Sequence, residues 1–272
     1  MYRILLLLLV SLSAFSQNSK EEFNQLDENG KKQGTWHKYH PGDSILRYEG
    51  QFRDDQPYGK FTHFFIDGKV KVVLTYSSPD RAFARNYYPD GTLMAVGAYE
   101  NQQKDSTWVY YDFYGSKISE ENYITGKRYG YWRKYFPNGK LMQEIYYEND
   151  LETGTIKQYF STGILYREAI YFEGGLEGDA AFYHENGILH HEGKYHRDAK
   201  TGIWKSYDED GQLIDERKYV KGVPEFRESD LIHEDSSKYY VKDVFTIEDV
   251  FEEDFMVVPS KEEDKKKKKT KK

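Results

Sequence analysis

The feature that most restricts this chain is a repeat of 24 residues. Gly91, Gly115, Gly139, Gly163, Gly187 and Gly211 fall at that spacing, as do Tyr87, Tyr111, Tyr135, Tyr159, Tyr183 and Tyr207. Tyr99, Tyr123, Tyr147, Tyr171, Tyr195 and Tyr219 form a third column, and Gly130, Gly154, Gly178 and Gly202 a fourth. Two positions after those last glycines stand Trp132, Ile156, Ala180 and Trp204, with Trp108 one period earlier. Gly59 with Phe61, and Gly34 with Trp36, begin two further copies at slightly altered spacing. About eight units lie between Gly34 and Gly222, and a period of this length signals a repeat architecture.

Each unit holds two stretches of alternating character and two turns. The first turn reads Pro89-Asp90-Gly91, Pro137-Asn138-Gly139, Glu185-Asn186-Gly187 or Glu209-Asp210-Gly211. Such triplets suit a type I turn closed by a glycine bulge. A three-residue loop sets Tyr135 opposite Leu141; a two-residue loop sets Phe136 there instead, and the residues alone allow both. The second turn, joining units, is rich in Gly, Asn and Asp, and connections this short force antiparallel neighbours. The expected fold is all-β: an elongated, single-layer antiparallel meander of repeated hairpins. Gly130 and its equivalents sit beside the aromatic columns, where a neighbouring ring is expected to cover bare backbone. The unit at 82 to 99 departs from the pattern with Ala82 and Ala84, and Ser106 replaces glycine in the next. A weakened face or a bend is expected between 80 and 106.

Composition supports a thin sheet over a thick core. Apolar residues are 38% of the chain, yet aromatics reach 17%, led by 26 tyrosines. Tyrosine suits a half-buried surface, because its ring packs while its hydroxyl stays wet. The formal charge is −7 although seven lysines fall within 265 to 272, so the remainder carries −14 and nonspecific nucleic-acid binding is not expected.

Outside the array the rhythm is absent. Residues 1–16 carry Arg3, the apolar run Ile4 to Val10 and the small residues Ala14 and Ser16, and read as a signal peptide too short to span a bilayer. Export to the periplasm, cell envelope or exterior is the expectation, with no transmembrane segment after cleavage. Residues 17–25 form a lead-in, 26–222 the repeat array, 223–258 a C-terminal extension and 259–272 a disordered Lys-rich tail. Within the extension, Val244, Ile247, Val250, Phe251 and Phe255 recur at helical spacing after Thr246, which predicts a capping helix over 247–255. The tail is the segment suited to an anionic surface or polysaccharide.

"GYWRKYFPNGKLMQEIYYEND" and "GIWKSYDEDGQLIDERKYVKG" resemble the MORN-repeat variant of many bacterial proteins, with Gly-x-Trp-x-x-Tyr-x-x-x-Gly-x-Leu and a late tyrosine. "LDENGKKQGTWHKY", residues 26 to 39, is similar to the usual start of such arrays. The resemblance covers Gln25 to about Gly222 and implies a MORN-like solenoid. By resemblance alone, a YwqK-like antitoxin role is implied for some members, and scaffolding or lipid binding for others.

No sequence signature of chemistry accompanies the array. The chain has no cysteine, hence no thiol nucleophile and no disulfide. Neither a Gly-rich phosphate loop nor a zinc-protease helix occurs. His184, His190, His191 and His196 are close in sequence, but strand alternation sends neighbours to opposite faces, so they read as polar strand surface and no metal site is expected. Acidic pairs are expected by chance where 31% of residues are charged. The expectation is a non-enzyme without cofactor.

Tyr111, Tyr135, Tyr159, Tyr183 and Tyr207 are the candidate binding face: their rings either pack on one another or take up peptide or sugar. Gly91, Gly115, Gly139, Gly163, Gly187 and Gly211, with Trp108, Trp132 and Trp204, are read as structural. The first expectation for function is an exported scaffold that binds an as yet unknown protein in the cell envelope. An antitoxin-type partner and a wall-polysaccharide-binding array are the alternatives.

Overall fold

The computed structural model describes residues 22–227, and all its regular elements are β-strands. The expected signal peptide, the expected helix over 247–255 and the lysine-rich segment lie outside the described residues. The chain divides into two units, 1–224 and 225–272. Of the second, only Glu225, Phe226 and Arg227 are described. The first contains a 19-stranded sheet in which successive strands pair antiparallel. Three of the 19 (Gln25–Leu26, Lys127–Arg128 and Val223–Pro224) are two-residue segments, leaving the sixteen that eight two-stranded units require. The protein is thus an all-β open meander of hairpins.

The hairpin of Gly130–Tyr135 and Leu141–Glu148 shows why these residues fold so. Gly130 pairs with Tyr147, Trp132 with Ile145 and Tyr135 with Leu141, the register slipping between Lys134 and Tyr135. The Phe136 amide donates to the Lys140 carbonyl at 2.8 Å, and the Gly139 amide to the Phe136 carbonyl at 2.8 Å. This closes the three-residue loop and rejects the two-residue one. Gly139 has φ +80°, where a Cβ is penalised. Between hairpins the loop is tighter: Glu148 pairs with Leu151, and Asn149 and Asp150 both have positive φ, as a type I′ turn demands. The Asp150 carboxylate then accepts the Arg128 amide at 2.8 Å, and its amide donates back to the Arg128 carbonyl at 3.1 Å. Asp198 does the same for Leu176, so the turns tie each unit to the one before.

The two slips in the period have local causes. In the first unit, Tyr39 pairs with Leu46 across six residues where Tyr135 and Leu141 enclose five. In the third, the joining turn is Pro79-Asp80, and proline cannot adopt the positive φ of a type I′ turn. Elsewhere a left-handed residue bulges the strand after that turn: Gly154 at φ +73°, Gly178 at +107°, even Ser106 at +59°. Ala82 does not, and its strand pairs evenly with the preceding one from Val72–Asn86 to Tyr76–Ala82.

The expected weakness between 80 and 106 is not present. Arg81–Tyr87 pairs continuously with Leu93–Glu100, and Ala84 is fully buried, at 0% exposure. Covering also falls on glycines other than those expected. Gly154 and Gly202 have nothing within 4 Å of a Cβ position, and Gly130 meets only Asn122, at 3.6 Å. Instead, a Cβ on Gly50 would stand 2.3 Å from the Phe61 ring, one on Gly97 2.2 Å from Trp108, and one on Gly193 2.3 Å from Trp204. Each of these glycines lies on the second strand of a unit, and the ring comes from the next unit. Where the next unit presents only Ala84, its partner is Leu74. At these four joints large meets small, while Ala169 meets Ala180 at another, and a ring lying on bare backbone is buried without a second layer.

Replacing Gly139 by Ala adds no clash, since nothing lies within 4 Å, so only the left-handed backbone is strained. The expected loss is about 1 kcal/mol, read from the urea midpoint, with the fold retained.

Candidate binding faces

Alternation gives the sheet two chemically distinct faces. Trp132 shares its face with its partner Ile145 and with Gly130 and Tyr147. Arg133 and Glu144, paired with one another, lie on the other.

On the tryptophan face, rings meet edge to face: Trp108 with Tyr99 at 4.9 Å, Trp132 with Tyr123 at 5.2 Å, Trp204 with Tyr195 at 5.1 Å. Each indole also finds an acceptor in the preceding unit. Trp108 donates to the Ala98 carbonyl at 2.9 Å, Trp132 to Asn122 at 2.9 Å and Trp204 to Lys194 at 3.1 Å. These bonds satisfy the one polar atom that burying a tryptophan withdraws from water. The tryptophans are therefore joints between units.

A second column accompanies them that the repeat analysis missed. Four residues before each tryptophan stands a cation: Lys32 over Trp36, Lys104 over Trp108, Arg128 over Trp132 and Lys200 over Trp204, at 4.5 to 5.8 Å from the ring centroid. The signal was present as a basic residue, three others and tryptophan in "KQGTW", "KDSTW", "RYGYW" and "KTGIW". A separation of four places both on one face of the strand. Lys104 is the most enclosed, also covering Tyr110 and Tyr123 and donating to both hydroxyls. Desolvation holds its pKa below the usual lysine value, against the raising effect of Glu121. Burial, then Glu121, pushes Tyr123 up, and its hydroxyl donates to Glu121 Oε2 at 2.7 Å. The cluster satisfies itself internally, as a structural polar network does.

The five candidate tyrosines are half-buried. The Tyr135 hydroxyl donates to Glu120 Oε2 at 2.8 Å, Tyr183 to Glu168 at 3.2 Å and Tyr207 to Glu192 at 2.8 Å. Each glutamate lies 15 residues back, on the previous hairpin and on the face of Arg133. The Tyr135 ring is further covered by Lys117, 3.9 Å from its centroid. At Tyr159 the matching glutamate, Glu144, instead receives Arg133 Nε at 2.6 Å. Tyr111 offers its carbonyl to the Tyr88 hydroxyl at 2.9 Å. This column thus carries hydrogen bonds between hairpins on the face opposite the tryptophans.

More accessible rings lie beside it on the same face. Tyr131 (47% exposed) and Tyr129 (38%) meet Tyr146 at 5.1 and 6.1 Å, and the Arg133 guanidinium lies 5.3 Å over Tyr131. Alternation does not separate the histidines as expected: the His190 ring centroid lies 4.1 Å from that of His184 and 3.7 Å from that of His191, and their other partners differ. His184 Nε2 lies 2.9 Å from the Tyr207 carbonyl, His191 Nδ1 2.9 Å from Ser206 Oγ, and His196 Nδ1 2.8 Å from Glu177. Among the described residues no three His, Asp or Glu side chains converge as a metal site requires.

Removing one Tyr–Glu tie tests its contribution. Burial and the Glu120 bond raise the Tyr135 pKa, so its contribution is full below the unfolded value near 10 and is lost as pH rises through the folded value. Lys117 and Tyr135 lower the Glu120 pKa, so that contribution is present above the unfolded value near 4.3 and is lost as pH falls through the folded one. Tyr135→Phe is expected to cost about 1 kcal/mol at pH 7. The difference between the urea midpoints of wild type and variant should shrink towards both extremes of pH.

Comparison with known proteins agrees with this geometry. The model of the MORN repeat variant matches residues 128–149 and 200–221. No curated protein matches the chain. Among solved structures, a mutant of S. aureus TarM in complex with fondaparinux, alpha-GlcNAc-glycerol and UDP is 12% identical with a TM-score of 0.27, covering 35% of this chain and 19% of that one. A second TarM structure gives the same values, and a TcdB2-TccC3-Cdc42 structure is 11% identical with a TM-score of 0.17, covering 72% of this chain and 14% of that one. The chain thus spans less than a fifth of the length of the solved chains it matches. Its two matched stretches, which carry the MORN repeat variant, share strand, turn and register with the other units, and the chain is a repeat protein built of such hairpins.

Proposed function

We propose that this protein is an exported, non-enzymatic scaffold that binds another protein in the cell envelope. The observation that carries the reading is the patch of Tyr129, Tyr131 and Tyr146 with Arg133 across it. Tyrosine and arginine are the residues from which interface hot spots are most often built, since each offers a large contact area and a polar tip. Here they stand on a face whose other side chains are held by neighbouring hairpins, so little ordering remains to be done on binding. The sequence of residues 1–16 supports export. An antitoxin role rests on the family resemblance alone, polysaccharide binding on composition alone, and no side-chain arrangement favours either.

Affinity capture from envelope extract with the purified protein is the test. Wild type is expected to retain a defined protein, and Tyr131→Ser with Tyr146→Ser to lose at least nine-tenths of it while keeping its urea midpoint. Equal capture by both rejects the patch. A hydrolase activity abolished by substituting one acidic pair rejects the non-enzymatic reading.

A further inference from the structure

Between the second and third units the tryptophan face holds an open cavity of about 360 Å³. His40, Arg47, His63, Phe64, Lys71, Val72, Leu74, Asn86 and Tyr99 line it, and none of these nine is acidic. The column two residues beyond the tryptophans holds His63 and Asn86 in these two units, and Tyr110, Lys134, Gln158, Phe182 and Ser206 in the later ones. The same region contains the irregular Pro79-Asp80 turn and the unbulged Ala82, so the repeat departs from its own pattern where the cavity opens. Departures of this kind are expected where function overrides regularity.

We propose that this cavity binds a phosphomonoester, with Arg47 and Lys71 holding the phosphate and the rest of a small organic molecule lying over Val72 and Leu74. Arg47 and Lys71 are solvent-accessible cations on either side of His63, from the strands Leu46–Arg53 and Val70–Ser78. Two fixed positive charges match a phosphate that carries close to two negative ones at neutral pH, and the guanidinium fork suits its oxygens. The cavity is larger than a phosphate group needs, so an organic substituent has room. Imidazoles supply the remaining donors. His63 lies across from Tyr48, ring centroids 5.7 Å apart, and His40 Nε2 lies 3.4 Å from the Phe64 carbonyl. Desolvation first, then Arg47 and Lys71, hold the His63 pKa below its usual value. A bound anion offsets the repulsion from both cations, so His63 takes up a proton more readily in the complex.

The probe is phenyl phosphate, titrated into the full chain while the His63 ring protons are followed by nuclear magnetic resonance. Saturable binding is expected, with the His63 titration moving to higher pH in the complex. Arg47→Gln and Lys71→Gln should each weaken binding at least tenfold. His63→Gln should keep binding, with its pH dependence reduced to that of the phosphate's own second ionisation and His40, and Lys60→Gln, on exposed strand surface, should change nothing. Arg47 and Lys71 are surface side chains, so an unchanged circular dichroism spectrum is expected in their variants. Vesicles containing phosphatidic acid form a second arm. If they, and not phenyl phosphate, bind in an Arg47- and Lys71-dependent way, the phosphomonoester is a lipid headgroup and the site stands. Absence of binding in both arms, or binding equal in wild type and the Arg47 and Lys71 variants, overturns the proposal.

Discussion

A sheet one layer thick has nothing above or below it, so its large side chains are withdrawn from water only by the hairpin alongside. The close approach of a ring to a glycine of the preceding hairpin achieves this: Phe61 on Gly50, Trp108 on Gly97, Trp204 on Gly193. Trp108 ends 1% exposed, a burial normally found in the middle of a two-layer core. A buried aromatic removes about 200 Å² from water, which at about 25 cal/mol/Å² has an upper limit of about 5 kcal/mol. One joint of this kind approaches the net stability of a small domain.

The row of residues crossing these joints runs Gly50, Phe61, Leu74, Ala84, Gly97, Trp108 along the early units. Large and small side chains alternate across successive joints because two rings do not fit over one stretch of backbone. The same packing divides the surface into two roles. Tryptophans with their lysines and arginines hold the units together on one face, and tyrosine–glutamate pairs do so on the other. Among the side chains left accessible are Tyr129 and Tyr131 beside Tyr146, and the cavity lined by His63 and Asn86 lies open.

Much of this was legible because it recurs. The turn glycines, the tyrosine columns and the number of strands follow from a 24-residue period alone. Harder to read were features that depend on pairs. Gly50, Gly97 and Gly193 share a column with Glu121, Ile145, Ala169 and Arg217, so no single residue type marks it. Its identity makes sense only against the residue 11 positions on. Ala84 looked like a defect for the same reason, since the compensating Leu74 lies in another unit. The basic residue four before each tryptophan was visible and on its face by alternation, but that its cation lies over the ring is shown only by the packing. The cavity had no motif, because its lining residues are gathered from separate strands of the first three units.

The size matching between units is tested most directly by a double-mutant cycle at Gly97 and Trp108, using urea denaturation. Gly97→Ala in the wild-type background places a Cβ 2.2 Å from the indole and should cost about 2 kcal/mol. In a Trp108→Ala background the same change should cost almost nothing, giving a coupling of about 2 kcal/mol. If the two losses simply add, to within about 0.5 kcal/mol, rings seated on neighbouring glycines do not hold this sheet together.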